Sequence, residues 1–151
     1  MKISSQEEYG LRVLLRIASC KDAEGISIPQ LSEAEGLSSH YVAKLTRSLR
    51  LADIIKSTPG SKGGYLLARS ASDIIIRDVL AELGGVMFDK GFCGRHNGIA
   101  NLCTNSVNCS VRSLWRVVQV TVDRLLSKIT LEDLLSSEKD SLHVLNSLVE
   151  V

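Results

Sequence analysis

A chain of 151 residues, 44% apolar and 23% charged, is long enough to bury one core without disulfide staples and has ordinary globular composition. No apolar run approaches the roughly 18 residues of a membrane span, and the opening MKISSQEEYG turns polar at once, so neither a span nor a secretory leader is expected. The net charge of +1 is silent about partners, but its distribution is not. Between Gly36 and Arg69 stand Lys44, Arg47, Arg50, Lys56, Lys62 and Arg69 against the single acid Asp53, and a local positive patch is what a phosphate backbone feels.

In chain order, SQEEYGLRVLLRIASC puts Leu11, Leu14, Leu15 and Ala18 at helical spacing. Ser5 is the expected N-cap, with Glu8 closing a capping box. Two short helices follow. The first starts near Ser27 with Pro29 in its first turn and ends at Gly36. The second starts at Ser38 or Ser39 and carries an apolar stripe of Tyr41, Val42, Leu45 and Leu49. The turn between them is about three residues long, as in a helix-turn-helix. IIKSTPGSKGGYLLA then reads as two short strands around a Pro/Gly-rich tip, so the fold class expected is mainly α with a small β-hairpin: a winged helix-turn-helix. Ser72 or Asp73 would cap a helix over IIIRDVLAELGG. After a loop from Val86 to Asn108, residues 109–129 form a long helix with Val111, Leu114, Trp115, Val118, Val122, Leu125, Leu126 and Ile129 on one stripe. TLEDLL offers a further short helix capped by Thr130, and the polar remainder is expected to fray.

An exposed helix face can carry charge merely to stay solvated. Here the short turn, the charge asymmetry and the glycine-rich hairpin occur in order within about forty residues, which favours double-stranded DNA as the partner. Ser38, Ser39, His40 and Lys44 lie where a recognition helix meets base edges. Arg47 and Arg50 would meet phosphate, Lys56 and Lys62 backbone or minor groove, and the Gly63–Gly64 pair would let the hairpin approach closely.

Three of the four cysteines, Cys93, Cys103 and Cys109, fall within seventeen residues. In a cytoplasmic chain such thiols bind metal or do redox work rather than form structural disulfides. The absence of a close C-x2-C pair makes a zinc finger a poor fit. Three thiolates suit an iron–sulfur cluster with one ligand still to find. His96 lies inside the loop, and Cys109 opens the long helix, whose positive end stabilises thiolate. A reversible dithiol switch without metal is the competing reading. Cys20, ending an amphipathic helix, reads as a small buried hydrophobe.

These motifs resemble the iron–sulfur winged-helix repressors typified by IscR, NsrR and RirA. The resemblance runs through MKIS…EYGLRVLLRIA, ISIPQLSEAEGLSSHYVAKLTRSLR, GSKGGYLLA, IIIRDVLAELGG, the three-cysteine loop, SLWRVV and ITLEDLL. It implies a homodimeric, cytoplasmic DNA-binding regulator, not an enzyme, whose operator affinity is controlled by a two-iron or four-iron cluster sensing redox state, iron or nitric oxide. The implied partition is a DNA-binding domain over 1–84, a cluster loop over 85–108, a dimerisation helix over 109–131 and a short C-terminal helix and tail over 132–151. Cys93, Cys103 and Cys109 match the cluster cysteines. Glu8 matches an acidic fourth ligand supplied by the partner chain, with His96 as the alternative. The position three residues after the third cysteine, a histidine in some relatives, is Arg112, which stays protonated and cannot ligate. Two further departures are a longer first cysteine gap and Pro59 where relatives carry a wing-tip arginine. Outside this family, the readings kept open are a metal-free thiol-switch regulator and a cluster-carrying redox protein. No nucleotide-binding glycine motif or nucleophile–base pair supports the latter.

Overall fold

Tandem serines and tandem glutamates open the chain, and only one pairing caps the first helix. In the computed structural model, which describes residues 2–149, α1 spans Ser5–Ser19 and its N-cap is Ser4 rather than Ser5. Ser4 Oγ accepts from the Glu7 N–H, and the Glu7 carboxylate accepts from the Ser4 N–H at 2.7 Å. The expected box is present one residue early, and Glu8 takes no part in it. Val13, Leu14 and Ile17 make the buried face of α1.

Next, α2 (Ile28–Glu35) starts from a Ser27–Gln30 capping box and ends at Gly36, whose φ of 65° is the left-handed turn that glycine adopts without a Cβ penalty. Ser38 caps α3 (Ser39–Leu51) by accepting from the Tyr41 N–H. The helix buries Val42, Leu45 and Leu49 as its stripe requires, and also Thr46. That hydroxyl donates to the Val42 and Ala43 carbonyls at 3.0 and 3.2 Å, so burying it leaves nothing unpaired.

The hairpin forms as β1 (Ile55–Thr58) and β2 (Gly64–Leu67), antiparallel, with Ile55 opposite Leu67 and Thr58 opposite Gly64. Tyr65 exchanges both backbone hydrogen bonds with Ile26, at 3.2 and 2.9 Å. The wing is thereby tied to the segment that launches α2. Gly64 is buried at this junction, where a Cβ would stand 2.2 Å from the Glu24 carbonyl oxygen. Its glycine is required by packing at the root of the wing.

Beyond the hairpin the structure corrects three expectations. The helix α4 does not start at Ser72 or Asp73. Residues Ala71–Asp73 make a 3-10 turn, Ile74 and Ile75 are extended, and α4 runs Ile76–Gly84. The cause is non-local. Ile75 bridges Thr130, the Leu131 N–H donates to the Ile74 carbonyl at 2.8 Å, and the Ile76 N–H donates to Ile129 at 2.9 Å, an extended pairing that β-branched side chains favour. For the same reason the long helix is shorter than its apolar pattern. After a one-turn helix α5 (Phe92–Arg95), α6 spans Ser110–Leu126, and Ile129 belongs to the core rather than to the helical stripe. A 3-10 turn at Glu132–Leu134 follows, with the Thr130 hydroxyl accepting from the Asp133 N–H. The tail expected to fray is instead α7 (Glu138–Val149), whose Leu145 and Leu148 pack against the core. Ser137, accepting from the Asp140 N–H at 3.2 Å, supplies its cap.

The core is built from α1, α3, α4 and the Ile129–Leu131 return. By contrast α6 has no buried residue, and Val111, Leu114, Val117 and Val120 face water at 47–64% exposure. Among the described residues no helix is long and apolar enough to cross a membrane.

One ion pair couples α1 to the helix-turn-helix. Arg12 Nε and Arg16 Nε donate to the two Glu35 oxygens at 2.7 and 2.5 Å, and the Glu35 side chain is only 5% exposed. Burial pushes the Glu35 carboxyl up, but the hydrogen bonds and charge of Arg16 and Arg12 outweigh it, so the net direction is down from 4.5. A carboxyl lowered in the folded state contributes stability that is complete above 4.5 and lost as pH falls through its folded value. Glu35→Gln should therefore lower stability at about pH 7, and the gap to the parent protein should narrow near about pH 3. Urea unfolding at both pH values checks this; a gap independent of pH would show that the carboxylate charge is not what holds α2 to α1.

Candidate functional site

The buried face of α3 leaves its opposite side to solvent. Ser38, Ser39, His40, Lys44, Arg47 and Arg50 are all exposed, as are Lys56 on β1 and Lys62 and Gly63 in the hairpin loop. Among the described residues, Lys44, Arg47, Arg50, Lys56 and Lys62 form no ion pair, so their charge is uncompensated. Arg69, the sixth basic residue of the segment, is committed within the fold. It donates to the Asp53 carbonyl at 2.9 Å, bracing a residue held at φ 54°. Ser38 already accepts from the backbone as a cap, which leaves its hydroxyl hydrogen for another partner. Gly64, unlike Gly63, lies inside the hairpin root.

Sequence reasoning missed the residues that hold this face. Tyr9 of α1 meets Tyr41 of α3 edge-on, with ring centroids 6.1 Å apart, and the Arg12 guanidinium lies 5.4 Å from the Tyr9 centroid. Together with the Glu35 ion pair, these interactions clamp the first turn of α3 to α1. The spacing of Tyr9, Arg12 and Arg16 on one side of α1 was the available signal. Also unanticipated were Asp22 and Glu24, which share with Lys62 the walls of a polar cleft of about 490 Å³ beside the hairpin loop.

The second region is a cleft of about 310 Å³ at the start of α6. Its walls include Cys93, His96, Cys103, Cys109 and Trp115, so residues scattered over the loop are brought to one place. Glu8 of the same chain is exposed on α1 and does not line it. Cys109 is the N-cap of α6, its Sγ accepting from the Arg112 N–H at 3.3 Å. Arg112 in turn donates to the Ser106 carbonyl. The loop is pinned to α6 by the Phe88 N–H, which donates to Gln119 at 2.9 Å. Just before α5, Asp89 accepts twice from Arg95, at 2.8 and 3.2 Å. Those bonds hold the Asp89 carboxyl below its ordinary range. Phe88, Phe92 and His96 form a ladder, with centroids 4.9 and 4.2 Å apart.

All four cysteines are free thiols, and Cys20 is half-buried rather than in the core. Among the described residues, no three His, Cys, Asp or Glu side chains converge on a point that would hold one metal ion. The thiols stand instead around a volume. Thiols lining one cleft are the donor type that an iron–sulfur cluster takes.

Comparison with known proteins identifies the fold and the family. The profile of the Rrf2 family, described as iron-dependent transcriptional regulators, matches residues 3–137. The Rrf2 protein of Nitratidesulfovibrio vulgaris is 36% identical over 135 residues, covering 89% of this chain and 87% of its own. Among solved structures, the chain is similar to IscR of T. potens, with a TM-score of 0.68 and 29% identity over 89% of this chain and 86% of that one. It is also similar to CymR, the global cysteine regulator of B. subtilis, with a TM-score of 0.66 and 29% identity over 89% and 96%. The helix-turn-helix with its wing is thus the fold of a regulator and not of an enzyme, and the chain belongs to the Rrf2 family of transcriptional regulators.

Proposed function

We propose that the chain is a dimeric, cytoplasmic repressor whose affinity for double-stranded operator DNA is set by an iron–sulfur cluster. One observation carries this reading: Cys93, Cys103 and Cys109, ten and six residues apart, line a single cleft against α6. These three would hold the cluster, and the fourth ligand comes from Glu8 of a second chain or from His96. Bound there, the cluster supplies iron whose ligation changes with redox state, iron supply or nitric oxide. The chain's own residues do everything else. Residues 1–84 bind DNA, 85–108 hold the cluster, 109–131 pair with a second copy, and the C-terminal helix within 132–151 packs on the core.

Ser38, Ser39, His40 and Lys44 read base edges, while Arg47 and Arg50 meet phosphates. Lys56, Lys62, Gly63 and Gly64 belong to the wing, with Gly64 acting through the hairpin's shape. Pairing two α6 helices would remove Val111, Leu114, Val117 and Val120 from water; already about half buried, each would contribute on the order of 1 kcal/mol. In such a dimer the distance between the two α3 helices must match the half-site spacing of the operator. A small change where α6 meets the cleft is therefore enough to alter affinity. A second reading, a thiol-switch regulator without metal, is supported by the likeness to Staphylococcus aureus CymR in an oxidized form, with a TM-score of 0.69 and 28% identity.

Purification without oxygen separates the two. The visible spectrum should show a brown protein with iron and sulfide in comparable amounts; colourless protein with free thiols after anaerobic reconstitution selects the thiol switch. On DNA, affinity should fall about 10³–10⁵-fold between about 50 and about 200 mM salt for six to ten phosphate contacts, and Arg47→Gln, which removes one cation, should lessen the salt slope by about one. Titrations at several salt concentrations check this, and a flat response would sink the phosphate-contact model. Val117→Glu, on the exposed face of α6, should convert dimer to monomer in sedimentation analysis with unchanged circular dichroism, and weaken operator binding by about 100-fold or more.

A further inference from the structure

We infer that His96 is the fourth ligand, so that Cys93, His96, Cys103 and Cys109 make a donor set complete within one chain. The inference rests on the cluster reading above and deepens it. Cys93 and His96 stand three residues apart on and just after the single turn of α5, the spacing that puts two side chains on one face of a helix. Although the chain lacks a C-x2-C pair, Cys93-x2-His96 has the same reach.

The imidazole is oriented for ligation. His96 Nδ1 lies 2.8 Å from the Phe92 carbonyl oxygen. A carbonyl only accepts, so Nδ1 carries the proton and Nε2 is the lone-pair nitrogen. Nε2 makes no hydrogen bond among the described residues. Ligating histidines characteristically donate their other ring N–H in this way, which fixes tautomer and ring plane together. The ring is also stacked on Phe92, at 4.2 Å and 22°, and Phe92 rests against Phe88. The neighbouring cation, Arg95, is drawn off by Asp89. Each of these interactions costs conformational freedom in a solvent-exposed turn, and together they fix the ring of a residue that lines the same cleft as three thiols. A histidine that merely closed the turn would need its Nδ1 hydrogen bond but not a place on the walls of the cysteine cleft.

Glu8 competes only by arriving from a second chain, whereas His96 already lines the cleft. The two assignments also differ in charge. A neutral imidazole leaves the site one negative charge lighter than a carboxylate does, which favours the reduced cluster. A site complete in one chain further predicts that loading does not depend on dimerisation. Closing the donors onto one group requires the loop to draw in, and Gly94 and Gly98, whose surroundings are open, give its backbone that freedom.

The test uses the full chain, reconstituted without oxygen with ferrous iron and sulfide, and chemically reduced. Pulsed paramagnetic resonance on protein carrying ¹⁵N-histidine should show a nitrogen coupling through the iron in the parent protein and in Glu8→Ala, and none in His96→Ala. His96→Ala should also lose its cluster about 10–100-fold faster, and His96→Cys should restore iron content without the nitrogen signal. Val117→Glu should load iron and sulfide as the parent does. A loaded parent protein without nitrogen coupling, or coupling that survives in His96→Ala, overturns the assignment and leaves the three-cysteine cluster reading standing. Parent protein that takes up no iron and sulfide overturns both.

Discussion

The return of the chain after α6 is the constraint on which the rest of the molecule depends. Leu131 is fully buried, and its N–H and the carbonyl of Ile129 are spent on the backbone at Ile74 and Ile76. This extended pairing welds the end of α6 to the start of α4. The start of α6 is tied to the cysteine loop through Arg112, which donates to the Ser106 carbonyl, and its middle through Gln119, which accepts from the Phe88 N–H. Between these anchors α6 buries no residue and turns a row of valines and a leucine to water. A helix fastened at one end, ligandable at the other and apolar along its free face is suited to join two chains and to report what happens at its base.

The helix-turn-helix half obeys a different logic, in which the acid that ends α2 is taken out of play. Glu35 ends α2 beside the helix-turn-helix turn, where a free carboxylate would repel phosphate. Two arginines from α1 neutralise it in a nearly closed environment, while Arg69 is committed to the backbone carbonyl of Asp53. The remaining cations on α3 and the wing stay unpaired, so the field they project is set by placement rather than by net charge. The same interactions place α3, because Tyr41 is wedged against Tyr9.

Much of this was legible in the sequence wherever the cause was local. Ser27, Pro29 and Gly36 bracket α2, Ser38 starts α3, and the Pro/Gly tip makes the hairpin, because caps and turns act over three or four residues. Where local signals were duplicated, reading slipped: Ser4–Ser5 with Glu7–Glu8 allows the capping box in two registers, and the structure uses the earlier. Non-local causes were invisible. Nothing near Ile74 announces Thr130, so Ile74–Ile75 read as helix and Ile129 as part of an amphipathic stripe. For the candidate site, the cysteines, His96 and the exposed cations were readable as residue types, but their gathering at one cleft was not. The aromatic ladder was available in principle, since Phe88, Phe92 and His96 recur every four residues, but a four-residue helix in a glycine-rich loop is too short for periodicity to single out.

Where the core stops sets how a ligand at the cleft would reach the DNA under the proposed function. Every fully buried apolar side chain belongs to residues 13–83 or to the Ile129–Leu131 return; from Val86 to Leu126 there is none. Among the described residues the winged helix-turn-helix is therefore packed without help from the loop, and α6 adds to its core only Leu125 and Leu126 at its far end. Binding or losing a group at the cysteines has no buried path through which to loosen α3 inside its own domain. What it can change is the start of α6, where Cys109 caps the helix and Trp115 lines the cleft. Since α6 packs on the core at its far end, through Leu125 and Leu126, a change at its base would, under the proposed function, shift the exposed apolar row relative to that core. In a dimer joined through that row, such a movement alters the separation of two intact recognition helices rather than the fold of either, and half-site spacing turns that separation into affinity.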